Sequence, residues 1–118
     1  MRKSKQPPDH PKPPNHLSLA TRRWFEGVVS DYHLESHHIR LLTLACEAWD
    51  RGQEARAALA ANGLTFVDSR GNPRARPEVA IERDSRLAFA RLVRELALDA
   101  DPGTPGEPRP PRIGGQKW

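Results

Sequence analysis

Between Ser36 and Asn62 the chain reads SHHIRLLTLACEAWDRGQEARAALAAN, without a proline, and Gly63 follows as a natural left-handed stop. No other stretch is as long or as consistently helical. At 1.5 Å per residue it predicts a rod of roughly 40 Å. Wound at 100° per residue, Ile39, Leu41, Leu42, Ala45, Cys46, Ala48, Trp49, Gly52 and Leu59 share one broad side. Arg40, Thr43, Glu47, Asp50, Arg51 and Glu54 collect in the narrow remainder, where Glu47 and Asp50 read as solvated charges. A surface helix needs an apolar stripe of about 100°, and this one is roughly twice as wide. Such a helix must be covered on two sides. The small residues Ala45, Ala48, Gly52 and Ala55 allow a neighbour to come close.

What can do the covering is limited. Of the 12 prolines in 118 residues, five lie before Asn15 and five lie from Pro102 to Pro111. Residues 1–16 are therefore expected to form a disordered basic arm, and 101–118 a flexible Pro/Gly-rich tail, because neither buries enough apolar surface to offset its ordering entropy. Residues 17–100 remain to make a single domain, which is marginal at that size. The excess apolar face points to self-association, with a tightly packed three-helix monomer as the alternative.

The elements around the long helix can be read locally. Ser18 suits the N-cap of a first helix over Leu19–Asp31, with Phe25, Val28, Val29 and Tyr32 turned to the core. Leu64 and Phe66, followed by Asp68-Ser69-Arg70-Gly71-Asn72-Pro73, predict a short β-hairpin. Pro77 and Glu78 open a third helix that should reach Leu98, with Ile81, Ala88, Phe89, Leu92, Val93 and Leu96 on one face. The fold class is thus mainly α: three helices, one long and central, with a hairpin between the second and third. The segment Pro108-Arg109-Pro110-Pro111 is either a polyproline docking element or a linker without a dedicated partner.

Charge and chemistry narrow the function. Residues 1–23 carry Arg2, Lys3, Lys5, Lys12, Arg22 and Arg23 against Asp9, and the hairpin region carries Arg70, Arg74 and Arg76 against Asp68. A basic arm on a near-neutral body suits a polyanion such as nucleic acid, or serves only as a solubilising tail. One cysteine, Cys46, excludes an internal disulfide, and the chain has neither an apolar run of membrane-spanning length nor a signal-peptide pattern, so a soluble intracellular protein is expected. His33, Glu35, His37 and His38 form the one cluster of potential metal ligands, but the order His-Leu-Glu-Ser-His departs from His-Glu-x-x-His and straddles a helix start. No catalytic centre, cofactor or metal site is expected.

Some of these residues also resemble a known family. Leu17-Ser18 ahead of a helix containing Trp24, then Leu41-Leu42-Thr43-Leu44-Ala45-Cys46-Glu47-Ala48-Trp49-Asp50, is similar to the small terminase subunits of tailed bacteriophages. The likeness continues through Ala58-Leu59, Gly63-Leu64-Thr65-Phe66-Val67, the Arg70-Gly71 turn, Arg76-Pro77 and Arg94-Glu95-Leu96-Ala97-Leu98. Arg76 replaces a histidine frequent in the family. Ala97 replaces a glycine, which implies a longer third helix here. The resemblance implies a non-enzymatic packaging component of the infected host's cytoplasm. It would form rings, recognise phage double-stranded DNA through a helical N-terminal region, and stimulate the large subunit's ATPase and nuclease. On that reading Lys3, Lys5, Lys12, Arg22, Arg23 and Arg40 contact phosphates, and Leu42, Ala45, Trp49, Leu59, Phe89 and Leu92 form the interface between copies. A dimeric helical DNA-binding regulator is the alternative, followed by a metal-dependent nuclease built on His33, Glu35 and His37.

Overall fold

The computed structural model describes residues 11–98 and Ile113. Lys3 and Lys5, and nearly all of the Pro/Gly-rich 101–118 segment, lie outside the described residues. Three helices and a hairpin follow in the expected order.

Helix α1 spans Leu19–Asp31, capped by Ser18, whose Oγ accepts the Thr21 N–H at 3.2 Å. That hydrogen bond satisfies one of the free donors of the first turn. At the other end, Tyr32 turns the chain to extended geometry. Helix α2 then covers Ser36–Asn62 and stops at Gly63, whose φ of 85° carries no penalty without a Cβ. Strands β1 (Thr65–Val67) and β2 (Pro73–Ala75) pair antiparallel, with Thr65 opposite Ala75 and Val67 opposite Pro73. Asp68 builds their turn: Oδ1 accepts the Arg70 and Asn72 N–H groups, each at 2.9 Å, and Oδ2 accepts Arg74 Nε at 2.9 Å. These hydrogen bonds hold its carboxyl below the usual carboxylate range, the Asn72 N–H contributing most.

Helix α3 runs from Pro77 to Leu96, not to Leu98. The stop forms without glycine. Ala97 itself takes the left-handed conformation, φ 57° and ψ 34°, and its N–H reaches the carbonyls of Val93 and Arg94 at 2.9 Å. That conformation costs an L-residue on the order of 1–2 kcal/mol. It turns Leu98 toward the core, where its carbonyl accepts the Tyr32 hydroxyl at 3.3 Å.

Helices α2 and α3 pack antiparallel, which places Trp49 beside Phe89, Gly52 beside Ser85 and Arg56 beside Glu82. A Cβ on Gly52 would lie 3.3 Å from Ser85 Cβ, so the small residue sets the interhelical distance. Helix α1 covers the other flank of the first half of α2. The core therefore sits at one end: Leu17, Phe25, Val28, Val29, Tyr32, Leu42, Cys46 and Leu96 are buried together, with Leu34, Ile39, Leu41 and Leu98 around them. Toward the hairpin only α2 and α3 continue, and both strands are exposed throughout.

Candidate functional site

One aromatic residue from each helix converges on a groove beside the core. The Trp24 and Trp49 rings approach Phe89 with centroids at 5.9 Å and 5.0 Å, tilted by 53° and 55°. Such offset, tilted pairs are the favourable arrangement for aromatic quadrupoles. With Ala20 and Thr21 they line a cavity of about 370 Å³. Trp24 keeps 38% and Trp49 46% of its surface exposed, an unusual condition for tryptophan inside one copy.

The residues expected at an interface between copies divide sharply. Leu42 and Ala45 are completely buried within the single chain, Leu42 in the core formed with α1 and α3. Leu59, Phe89 and Leu92 are half-buried, and Trp49 is exposed. Leu44 and Leu87, 52% and 56% exposed, add apolar surface on α2 and α3. Trp24 is the residue that sequence reasoning missed. Its phase on α1 was readable, but its meeting with Phe89 depends on how α1 crosses α2.

The acidic strip of α2 is not simply solvated. Asp50 Oδ2 accepts the Ser18 N–H at 2.7 Å, while Oδ1 accepts the Thr21 hydroxyl at 2.6 Å and the Ser18 hydroxyl at 3.0 Å. One turn earlier, Glu47 meets His16 Nε2 at 2.8 Å. Together they latch the start of α1, and the turn before it, onto α2. Desolvation pushes the Asp50 carboxyl up, but the hydrogen bonds from Thr21 and Ser18 and the nearby His16 outweigh it and hold the group below the usual range. Sequence alone could not find this latch, because two acids three residues apart on a helix read equally well as solvated charge.

Among the described residues Lys12, Arg22, Arg23 and Arg40 make no ion pair. Lys12, Arg23 and Arg40 are exposed, and Arg22 is half-buried with its Nε enclosed and without a hydrogen-bond partner. They do not form one cluster: Arg22 and Arg23 sit at the latched end of α1, whereas Arg40 lies about 15 Å before Asp50 along α2. At the hairpin, Arg74 is tied to Asp68 and the Arg76 guanidinium lies 5.9 Å from the Phe66 ring centroid.

The histidines at the start of α2 do structural work. His38 Nδ1 accepts the Glu35 N–H at 3.0 Å, and the His37 ring lies 4.1 Å from that of His38. Desolvation first, and then the neighbouring His37, lower the His38 pKa against the opposing pull of Glu35. Among the described residues no three His, Cys, Asp or Glu side chains come together to hold a metal ion. Cys46 is fully buried, and desolvation followed by Asp50 and Glu47 pushes its thiol up to about 12. No described helix is long and apolar enough to cross a membrane.

The family model described as phage terminase, small subunit, matches residues 22–101. The chain belongs to the phage terminase small-subunit family. That match starts within α1 and takes in α2, the hairpin and α3, so the small-subunit region coincides with the folded body. Neither a curated protein nor a solved structure gives a significant match.

Proposed function

We propose that this small subunit is the non-catalytic, DNA-recognising component of a phage packaging machine, assembling into a ring and presenting double-stranded DNA to the large subunit in the host cytoplasm. The observation that carries the reading is the pairing, in a chain of this family, of uncovered apolar surface with cations that form no ion pair among the described residues. Leu59 and Leu92 supply contact between copies, and Leu44 and Leu87 extend it. A ring needs two different patches that meet head to tail, and apolar surface on two separate helices suits that requirement. Lys12, Arg22, Arg23 and Arg40 contact phosphates, joined by Lys3 and Lys5 from the preceding arm.

Native mass measurement with and without DNA tests the assembly. A closed multimer larger than a dimer supports it, and a stable monomer at high micromolar concentration refutes it. Binding to duplex DNA should weaken linearly on logarithmic axes, with a salt slope of about −0.9 per neutralised phosphate. Arg22→Ala together with Arg23→Ala should flatten that slope by close to two such contacts. An unchanged slope would remove these arginines from the DNA interface.

A further inference from the structure

We infer that the groove between Trp24, Trp49 and Phe89 is the docking site for this chain's own proline-rich segment, Pro108-Arg109-Pro110-Pro111. The groove is an aromatic-lined slot, open along one side, formed where three helices meet. That is the surface on which polyproline-type segments dock: proline rings stack on aromatic faces, and the preformed helix loses little entropy on binding. Pro108, Pro110 and Pro111 supply the rings.

Reach and direction both allow it. The Tyr32–Leu98 hydrogen bond shows where α3 hands the chain on. From there back to Phe89 is nine residues, about 13 Å at helical rise. Residues 99–107 can span up to about 30 Å when extended, and their Asp101-Pro102-Gly103 and Thr104-Pro105-Gly106 steps favour the reversal that the route needs.

Tethering strengthens a weak contact: a short flexible linker gives an effective concentration in the millimolar range. A segment that binds as a free peptide at about 100 µM is then docked roughly ten times as often as it is free. Docking leaves Leu44, Leu59, Leu87 and Leu92 for contacts between copies, so it does not depend on the ring.

The test uses the whole chain with Trp118→Phe, so that fluorescence reports Trp24 and Trp49 alone. In that background Pro108→Ala, Pro110→Ala and Pro111→Ala are introduced together, and emission, acrylamide quenching and light-scattering mass are measured side by side. Expected are a shift to longer wavelength and stronger quenching at unchanged mass. A synthetic peptide of residues 105–115 should reverse both saturably in the triple variant and have far less effect when the native prolines are present. Emission indifferent to the prolines and to the peptide would overturn the proposal. So would a shift that appears only together with a change in mass, because a second copy would then be filling the groove.

Discussion

Replacing Asp50 with alanine should destabilise the fold by about 2 kcal/mol. The carboxylate accepts three hydrogen bonds from the start of α1, but they are not equal. The Thr21 hydroxyl is the buried member, at 4% exposure and 2.6 Å, and a bond to a charged acceptor contributes about 1.5–3 kcal/mol. Ser18 is exposed, so water replaces most of what its two bonds lose, and its cap bond to the Thr21 N–H survives the substitution. The sum therefore stays near the value of the single buried bond. For a domain of this size 2 kcal/mol corresponds to a fall in Tm of about 8–16 °C. Urea denaturation followed by far-UV circular dichroism measures it, at one fixed protein concentration because assembly stabilises by mass action. Asp50→Asn keeps the shape and the Oδ1 acceptor but sets an amide N–H₂ against the Ser18 N–H, so it should lose about half as much. The pH dependence follows from the same contacts. The native carboxyl titrates below its unfolded value, so its stabilisation is complete above the ordinary carboxylate range and is lost as pH falls through the depressed native value. Asp50→Asn should flatten that part of the acid limb. A loss below 0.5 kcal/mol in Asp50→Ala, or an unaltered acid limb in Asp50→Asn, would refute the latch.

Three further outcomes follow from particular contacts. Cys46 should resist maleimide and disulfide reagents in the folded protein at pH 8 and react fully in urea, because burial holds it as the thiol; fast native labelling would contradict the packing of α1 on α2. Gly52→Leu should destabilise by roughly 1–3 kcal/mol through overpacking against Ser85, read by the same urea titration, and a neutral result would mean that α2 and α3 sit further apart. His38→Ala should weaken the start of α2 through the lost bond to the Glu35 N–H, by about 0.5–1.5 kcal/mol at neutral pH, where the lowered pKa keeps the ring an acceptor. That difference should shrink as pH falls past the ordinary histidine range and the ring, its pKa lowered, finally protonates, and a pH-independent difference would exclude the cap.

The boundaries of the elements were legible in the sequence because local backbone chemistry sets them. Ser18 offers a cap, Gly63 accepts positive φ, Asp68 closes a turn through its own side chain, and Pro77 suits a first helical position. Each acts within a few residues and needs no partner from elsewhere in the chain. Even so, the local signal misjudged the end of α3. The hydrogen bonds of Ala97 and the pull of the core on Leu98 outweigh the small left-handed penalty that glycine would have avoided.

What tertiary structure alone decided is which of the helix-facing residues are covered. Helical phase put Leu42, Ala45 and Trp49 on one apolar side, and it could say no more than that. Leu42 and Ala45 are completely buried within the single chain, whereas Trp49 keeps nearly half its surface exposed and lines a groove with Trp24 and Phe89. The crossing of α1 over α2 turned Asp50 from a surface charge into the anchor of α1. A periodic sequence specifies the direction of each side chain from its own helix axis, but burial depends on the distance between axes, and that is set jointly by residues far apart in the chain.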